Sequence, residues 1–357
     1  MIQSKELSFC DSINLAHHHL MEEDKSVMTI GLGVTDPKRI FGTTKGLVEA
    51  FGEQRVFDTP TSENAITGIG VGLALRGFKP IMVHQRLDFF LLAMDQLVNS
   101  AAKWRFMFGG QDSVPLVIRL IVGRGWGQGP THSQSLQSWF AHVPGLKVVM
   151  PTFPQDAYDL LKAAVQDPNP VVFLEHRWLH QQVGKVQLDN PIEALGKARV
   201  VRRGRDLTIV SYSISTIESL KAAEILMESG IDCEVIDLRT LSPIDWDTVL
   251  NSVRKTGKIL AIDSAQEQCS IASEVVAHCS LHAFADLDVA PQRLALPQLP
   301  IPTSFGLTTN FYFSHDDIVR ISMSMMNKRP TRIDPVSSLP RPTKPHDVPG
   351  DWFRGPF

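Results

Sequence analysis

Short apolar stretches with the length of strands alternate with stretches of helical periodicity along most of the chain. In the first half, SVMTIGLG, RVFDTP, KPIMVHQ, VPLVIRLIV and KVVMPT fit strands, and the helix PQDAYDLLKAAVQD precedes the strand PVVFLEH. Strands that alternate with helices form parallel sheets covered on both faces, and such strands are continuously apolar, as these are. The alternation therefore predicts an α/β fold with a doubly wound parallel sheet.

A polar connection interrupts this pattern at about residues 181–205, and a second cycle follows from LTIVSYS to CSIASEVVAHCSLHA. A chain of 357 residues with 43% apolar residues can bury two cores. We therefore predict two doubly wound domains, residues 1–190 and residues 191–327. The last segment, residues 328–357, is too rich in proline for a helix but contains three large aromatic residues, so we predict an extended arm laid across a neighbouring surface.

Composition and charge exclude several classes of function. The formal net charge is −3 and both signs are spread evenly, so no basic face attracts a phosphate backbone and nucleic acid is not an expected partner. The four cysteines show no CxxC spacing and are interpreted as buried thiols of a reducing compartment. Because the chain also lacks a signal peptide and an apolar run of about 18 residues, we expect a cytoplasmic protein outside the membrane.

The stretch VFDTPTSENAITGIGVGLALRG places Glu63 where a strand gives way to a glycine-rich helix. An acid in the first turn is favoured by the helix dipole, and Thr61 or Ser62 can cap the helix, so capping alone would account for this pattern. Gly68 and Gly72 leave one helix face bare, which suits either the approach of a flat ring or a tight contact with the sheet. The residues alone leave both interpretations open.

Several other motifs have a structural interpretation beside the functional one. His132 follows a glycine-rich loop and could reach a cavity, although a lone loop histidine is usually structural. Asp167 and Asn169 lie in a tight turn that can be ordinary turn chemistry or can aim carbonyls at a cation. The run AHHHL cannot place all of His17–His19 on one helix face and is interpreted as surface. GLGVTDPKRIFG lacks the glycine spacing of a dinucleotide loop, so a nicotinamide site is not expected.

Five stretches taken together resemble the beta subunit of thiamine-diphosphate-dependent 2-oxoacid dehydrogenases. They are DTPTSENAITGIGVGLALRG, AMDQLVNSAAKWRFMFGGQ, THSQSLQSWFAHVPGLKVVMP, DPNPVVFLEH and IDLRTLSPIDWDTV, and the resemblance spans about residues 10–325. It implies a pyrimidine-binding thiamine-diphosphate fold followed by a transketolase-like C-terminal domain, with the cofactor at an interface with an alpha subunit. In this family the acid that matches Glu63 hydrogen-bonds to the aminopyrimidine nitrogen and favours the imino tautomer, which removes the thiazolium proton.

The resemblance also implies roles for other residues. Phe89 matches the phenylalanine that stacks on the aminopyrimidine, and Gln85 is assigned to the same cofactor site. His132 matches the histidine that faces the reacting centre, where it orients the substrate carboxylate or assists acyl transfer. The residues that match a structural potassium site of some relatives, formed largely by backbone carbonyls, are Leu116, Ala164, Val165, Asp167 and Asn169.

A partner subunit is implied by what the sequence lacks. The chain contains no Gly-Asp-Gly motif followed by Asn, which in this family binds Mg²⁺ and the diphosphate and belongs to the alpha subunit. The resemblance therefore implies an obligate alpha subunit, most simply in an α2β2 assembly, and a small 2-oxoacid as substrate. Relatives dock an acyltransferase core on the C-terminal domain, where AIDSAQEQCS replaces a stretch with paired glutamates, so docking to such a core is left open.

The pocket departs from the family at several positions. The stretch IGLGV lacks the acids that are usual there, and a segment typically rich in small and aromatic residues reads VHQRLDFF, with Gln85 and Arg86. The loop before His132 reads LIVGRGWGQGPT, with Arg124, Trp126 and Gln128. We assign Arg86, Arg124 and Gln128 to the substrate pocket and expect it to be bulkier and more cationic than usual. This favours an anionic substrate, such as a phosphorylated or dicarboxylic compound, unless the arginines pair with the alpha subunit instead.

Three functions are compatible with these observations. The first is decarboxylation of a 2-oxoacid followed by transfer of the acyl or activated aldehyde group, with Glu63, Phe89 and His132 at the reacting centre. The second keeps the cofactor but is a stand-alone acyloin-forming or ketol-transferring enzyme of a specialised pathway. The third is a non-catalytic scaffold subunit, and the presence of all three site residues argues against it.

Overall fold

The computed structural model describes residues 4–125, 127–189 and 191–327. Its strands are β1 (Ser4–Ser8), β2 (Val27–Gly31), β3 (Val56–Asp58), β4 (Lys79–His84), β5 (Val117–Val122), β6 (Lys147–Val149), β7 (Val171–His176), β8 (Val183–Gln187), β9 (Arg199–Arg202), β10 (Leu207–Ser211), β11 (Cys233–Asp237), β12 (Thr240–Ser242), β13 (Ile259–Gln266) and β14 (Gln292–Leu296). Its α-helices are α1 (Phe9–Glu23), α2 (Leu47–Phe51), α3 (Glu63–Leu75), α4 (Leu87–Phe90), α5 (Ala102–Met107), α6 (Gln137–Ala141), α7 (Pro154–Gln166), α8 (Ile214–Glu228), α9 (Trp246–Thr256), α10 (Ile271–His282), α11 (Phe305–Thr308) and α12 (His315–Met325). The predicted helix and strand alternation is therefore confirmed in both halves of the chain.

The first sheet has seven strands in the order β12–β6–β7–β5–β4–β2–β3. All neighbours are parallel except β12, which runs antiparallel to β6. Strands β2, β5 and β7 are buried at every residue, as expected for largely apolar central strands, and the burial includes the charged Arg119 and Glu175. Because parallel strands end at the same edge, the loops after β2, β3, β4 and β5 all leave from one side of the sheet.

The second sheet has five strands in the order β14–β13–β10–β11–β9, and only β9 is antiparallel to its neighbour. Helices α8 and α12 cover one face with a core that includes Leu226 and Ile318. Helices α9 and α10 cover the other face, and the core there continues into the first sheet, joining Val253 to Val148 and Phe140. The predicted pair of doubly wound units is confirmed, and they share one apolar core.

A segment of the second half of the chain completes the first sheet. Strand β12 pairs with β6 through Thr240 and Val149. Just before it, the buried Arg239 places Nε 2.9 Å from Oδ1 of Asp156, which lies in the first turn of α7. The predicted division at residue 190 stays a prediction, but the chain on either side of it contributes to the same sheet.

The predicted polar connection at residues 181–205 contains two strands that the sequence pattern did not reveal. Strand β8 pairs antiparallel with β1 in a separate two-stranded sheet, and β9 is the edge strand of the second sheet. Within β8 only Val186 is buried, so the sequence of this strand lacks the alternation of apolar and polar residues that predicts a strand. Backbone pairing, rather than side-chain burial, holds this connection in place.

A buried ionic network lies between α1 and the first sheet. The side chains of Arg119 on β5 and Glu175 on β7 are fully buried, with Nε 2.7 Å from Oε1. Arg119 Nη1 also donates to Nε2 of His17 at 2.7 Å, and His17 Nδ1 donates to Thr29 Oγ1 at 2.9 Å. Burial, followed by the charge of Arg119, holds the pKa of His17 well below its usual value. The interpretation of this histidine as a surface residue is therefore wrong, because its ring is fully buried and accepts a hydrogen bond from a buried guanidinium.

Other expectations have mixed outcomes. Cys10, Cys233 and Cys279 are buried as predicted, but Cys269 is exposed. No helix in the part of the chain that the structure describes is long and apolar enough to cross a membrane. The predicted arm at residues 328–357 lies outside the described residues.

Candidate active site

Loops from neighbouring strands of the first sheet bring the predicted site residues to one edge. Glu63 follows β3, Gln85 and Phe89 follow β4, and His132 follows β5. One strand, β2, separates β3 from β4, so at about 4.8 Å per strand the two outer loops start about 10 Å apart. Open α/β sheets bind ligands at this carboxyl edge, and the predicted residues converge there.

Glu63 is the first residue of α3 and is buried, with 9% of its surface exposed. Its carboxyl group makes no hydrogen bond or ion pair with any residue that the structure describes. The side chain of Ser62 makes no cap either, so the expected capping bond from this residue is not formed. One turn later, the fully buried hydroxyl of Thr67 also lacks a partner among these residues. Glu63 and Thr67 lie four residues apart on one helix face, and two polar groups without partners in the described part of the chain fit a polar ligand there.

An aromatic pair lies at the same edge of the sheet. Phe89 on α4 is half-buried and meets the ring of His132 edge to face, with centroids 5.5 Å apart and planes at 90°. The adjacent Phe90 is fully buried against His84, with centroids 4.9 Å apart, which agrees with its predicted place in the core. Because Phe89 is not covered by the core, one of its faces is available to a flat ring.

Helix α4 also fixes the loop that carries His132. Nη1 of Arg86 donates to the His132 carbonyl at 2.7 Å, and Oδ1 of Asp88 accepts from both N and Nε2 of Gln134, at 3.2 and 2.9 Å. The hydroxyl of Thr131 lies 2.9 Å from His132 Nδ1. Nε2 of His132 has no partner among the described residues, so this nitrogen is available to a ligand.

The other end of this loop packs against the second half of the chain. Gly129 has φ +67°, and a Cβ placed on it would lie 2.2 Å from Oγ1 of Thr303. Only glycine therefore fits at this position without moving the backbone or its neighbour. The loop with His132 is held between α4 on one side and residues near Thr303 on the other.

Arg124 contacts aromatic rings from the segment after β7 and from the second half of the chain, and Gln128 contacts an arginine of the segment after β7. The guanidinium of Arg124 lies 4.7 Å from the ring of Trp178 and 4.1 Å from the ring of Tyr312. Oε1 of Gln128 accepts from Nη1 of Arg177 at 2.8 Å. These contacts hold the loop in shape, and neither residue lines the cavity described next. Trp126 lies outside the described residues.

Gln85 and Arg86 line a cavity of about 480 Å³ whose other walls come from the loop at residues 32–46, after β2. These walls are Asp36, Pro37, Lys38, Ile40 and Phe41. The volume lies within the range of small-ligand pockets, about 300–1,000 Å³. Arg39, Ile40 and Phe41 have φ of 48°, 48° and 58°, a left-handed run that non-glycine residues rarely adopt and that is found mostly at functional loops. We name this space the distal cavity.

The residues matched to a potassium site meet at the end of α7. The Leu116 carbonyl accepts from the Val171 amide at 2.9 Å, and the Ala164 carbonyl accepts from the Asp167 amide at 3.3 Å. Val165 is buried in the last turn of the helix. The Asp167 carboxylate pairs with Lys147 and also accepts from Asn169 N and Nδ2, both at 2.9 Å. Within the described residues, no cluster of three or more His, Cys, Asp or Glu side chains suits a metal.

Sequence reasoning missed four residues of this edge. Lys38, Asp88 and Thr303 depend on loops that meet only in the folded chain, so no local pattern marks them. Thr67 was recognisable in principle, since it lies four residues after Glu63 and hence on the same helix face.

Comparisons with known proteins agree with this architecture. The sequence profile of the transketolase pyrimidine-binding domain matches residues 5–182, and that of the transketolase C-terminal domain matches residues 196–318. The beta subunit of 2-oxoisovalerate dehydrogenase from Bacillus subtilis is 40% identical over 318 residues, covering 89% of this chain and 97% of the relative. The beta-1 subunit of the mitochondrial pyruvate dehydrogenase E1 component from Arabidopsis thaliana is 40% identical over 323 residues, covering 89% of each chain.

A third relative and a solved structure extend the comparison. The beta subunit of acetoin:2,6-dichlorophenolindophenol oxidoreductase from Bacillus subtilis is 36% identical over 337 residues, covering 91% of this chain and 98% of the relative. A split-gene transketolase, solved as an inactive beta4 tetramer, superimposes with a TM-score of 0.74 over 90% of this chain and 99% of that chain. At 19% identity the structure shows the shared fold alone. The matches confirm the resemblance and the fold class predicted from the sequence.

Proposed function

This chain belongs to the family of beta subunits of 2-oxoacid dehydrogenases, and we propose that it is the beta-type subunit of a heteromeric, thiamine-diphosphate-dependent enzyme. The enzyme decarboxylates a 2-oxoacid and transfers the resulting acyl or activated aldehyde group. The observation that supports this most is the buried, unpaired carboxyl group of Glu63, which lies at the same sheet edge as the Phe89 and His132 pair. When bound, thiamine diphosphate supplies the nucleophilic carbon that attacks the keto carbon of the acid.

Each residue of this edge has a task that its surroundings support. The Glu63 carboxyl group has no partner among the described residues, so it would be free to exchange a proton with a ring nitrogen of the cofactor. The half-buried ring of Phe89 would stack on the cofactor ring, and the exposed amide of Gln85 would contribute to the same site. The Thr67 hydroxyl, buried one turn after Glu63, is available as a further hydrogen-bonding group.

His132 serves the substrate. Its carbonyl is fixed by Arg86, its Nδ1 lies next to the Thr131 hydroxyl, and its Nε2 remains available. An imidazole held in this way can orient the substrate carboxylate or move a proton during acyl transfer.

We expect His132→Ala to impair acyl transfer far more than decarboxylation. Loss of a positioned acid or base lowers the rate of its step by about 100-fold or more, so transfer to lipoamide should fall by at least that factor. CO₂ release coupled to reduction of 2,6-dichlorophenolindophenol, which accepts the electrons without acyl transfer, should fall much less. His142→Ala, a change at an exposed histidine at the end of α6, is the matched control. Equal losses in both assays would contradict a role for His132 in transfer.

An alpha subunit completes the enzyme in this proposal. The chain has no Gly-Asp-Gly motif for Mg²⁺ and the diphosphate, so the partner would hold these groups, most simply in an α2β2 assembly. Ile69 on α3 is 55% exposed, and Leu92, in the turn that packs against α3, is 68% exposed. Apolar side chains left in water beside the Glu63 helix suit a surface covered by a partner subunit.

Co-expression with the candidate alpha subunit tests the function. The complex, with thiamine diphosphate and Mg²⁺, should release CO₂ from at least one member of a panel of 2-oxoacids, and this chain alone should release none. Full activity of the isolated chain would contradict the need for a partner. No release from any acid, by a complex shown to bind the cofactor, would contradict decarboxylation and favour ketol transfer or a scaffold role.

Two further features concern other ligands. We extend the proposal to a potassium ion at the end of α7, because carbonyls at a helix C-terminus attract cations. Its ligands would be carbonyls of Leu116, Ala164 and Val165 with Asp167 and Asn169, and the melting temperature of the complex in potassium and in sodium chloride tests it.

We do not extend the proposal to an acyltransferase core. Asp263, in the stretch where relatives dock it, is fully buried and accepts hydrogen bonds from Tyr212 and Gln137. Its carboxylate therefore takes part in an internal contact and is not presented on a docking surface.

A further inference from the structure

The distal cavity carries more positive than negative charge. Of its lining residues, Lys38 and Arg86 are cationic and Asp36 is anionic. Lys38 is exposed and makes no ion pair with any residue in the described ranges. Asp36 Oδ1 already accepts from the amide of Arg39 at 2.7 Å, and the Arg39 guanidinium pairs with Glu49. An uncompensated cationic group therefore faces this space.

The distal cavity adjoins the candidate active site through one side chain. Arg86 lines the cavity and at the same time donates from Nη1 to the His132 carbonyl. A guanidinium has five N–H donors in a planar fork, so the donors that His132 does not use can serve a ligand in the cavity. Arg86 therefore links the distal cavity to the loop that carries His132.

The loop that supplies Lys38 is held in place. The hydroxyl of Thr44 donates to the Val34 carbonyl at 2.8 Å, and the side chain and amide of Thr35 donate to the carboxylate of Asp58 at the end of β3. Ile40 is buried in the core of the first sheet. Because these contacts form the loop before a ligand arrives, a ligand need not order it on binding.

We propose that the distal cavity receives a second anionic group of the substrate, so that the enzyme acts on a dicarboxylic or phosphorylated 2-oxoacid. This inference rests on the proposed function and names the substrate class of that same site. Lys38 contributes a point charge and Arg86 a fork that matches a carboxylate or a phosphate. A 2-oxoacid with an uncharged chain leaves the net positive charge of the lining residues Asp36, Lys38 and Arg86 without a counter-charge.

Three 2-oxoacids, tested as acyl donors with the complex that contains the alpha subunit, distinguish the possible substrates. The first is 2-oxoglutarate, which has a second carboxylate, and the second is 3-phosphonopyruvate, which has a phosphonate group. The third is 2-oxobutanoate, whose chain is uncharged. One of the two anionic donors should exceed 2-oxobutanoate in kcat/KM by at least about tenfold, the effect of one charge-assisted hydrogen bond. Lys38→Met should remove most of this preference, chiefly by raising KM, and Lys38→Glu should reverse it.

Lys45→Met is the matched control. Lys45 is an exposed lysine of the same loop that does not line the distal cavity, and only its carbonyl takes part in the hydrogen bonds from α1. This variant should keep the wild-type preference. Loss of the preference in Lys45→Met as well would assign it to the general charge of the loop and overturn the role of Lys38.

A binding measurement separates this inference from the proposed function. Acyl phosphonates resemble 2-oxoacids but are not decarboxylated, and succinylphosphonate and butyrylphosphonate differ only in the second carboxylate. The cofactor-loaded complex should bind the succinyl compound about tenfold more tightly if a carboxylate fills the cavity, and Lys38→Met should abolish the difference. Equal affinities, together with no preference for 3-phosphonopyruvate, would overturn the substrate class and leave the proposed function intact. Binding of neither compound, with no CO₂ from any acid, would overturn both.

Discussion

Glu63→Gln is expected to reduce turnover of the complex by at least about 100-fold, the usual effect of losing a positioned general acid. The amide keeps the shape of the side chain but cannot exchange a proton with the cofactor ring. Glu63 is buried and forms no hydrogen bond or ion pair with the described residues, so none of its bonded neighbours can take over the proton exchange. Cofactor affinity should change much less, since in the proposed enzyme Phe89 and the partner subunit would still hold the cofactor. Steady-state CO₂ release and a separate titration with thiamine diphosphate measure the two effects.

Glu53→Gln provides the control for this change. Glu53 is exposed, lies in the turn before β3, and is a short distance away along the chain from Glu63. Its replacement should leave turnover and cofactor affinity at wild-type values. Near-normal turnover of Glu63→Gln would remove Glu63 from the mechanism, and a parallel loss of cofactor binding would show that its role is to bind rather than to exchange a proton.

Arg119→Met is expected to lower the free energy of unfolding by about 3–5 kcal/mol, as is typical when one partner of a buried ion pair is removed. The variant leaves the Glu175 carboxylate fully buried and takes away the donor that bonds to His17. In the wild type, burial opposes the ionisation of Glu175, but Arg119 and His180 hold its pKa below the ordinary value. Without Arg119, this charge keeps only the longer contact with His180, whose Nε2 lies 3.3 Å from Glu175 Oε2. Urea-induced unfolding of the complex, followed by circular dichroism, measures the effect.

An exposed ion pair gives the matched control. Arg320 on α12 lies 2.8 Å from Asp317, and its side chain is 53% exposed. Pairs of this kind contribute about 0–1 kcal/mol, so Arg320→Met should barely move the unfolding midpoint. If Arg119→Met destabilises no more than Arg320→Met, the buried network is not a source of stability. Arg119→Met with Glu175→Met, which removes both charges, should be less destabilising than the single change.

Sequence patterns were sufficient for the fold class, because strand-like apolar stretches that alternate with helical ones are typical of parallel sheets covered on both faces. They were not sufficient for the site, since the pattern around Glu63 and the lone His132 also had structural interpretations. The resemblance to the family is what assigned Glu63, Phe89 and His132 to one site. The structure adds that all three follow parallel strands at one edge of the sheet and that the last two meet edge to face.

Contacts between distant segments were not predictable in the same way. His17 is buried because its partner Arg119 lies about a hundred residues later on a strand, and no local pattern links them. Arg124 contacts two aromatic rings and Gln128 accepts from Arg177 in the fold, and no local pattern in the sequence indicates these partners. Lys38 lines the same cavity as Arg86 because the fold places their two loops side by side, and the sequence separation of these residues does not indicate this. Long polar side chains reach partners in any of several directions, and only the three-dimensional arrangement selects one.

Strand β12 limits how the two halves of this chain can be recombined with those of relatives. The strand belongs to the second half in sequence but forms the outer edge of the first sheet beside β6. Cutting the chain at residue 190 would uncover the backbone N–H and C=O groups of β6, and an uncovered strand edge invites pairing with other chains. Chimaeras between this protein and a relative should therefore inherit residues 240–242 and their partner strand from the same parent.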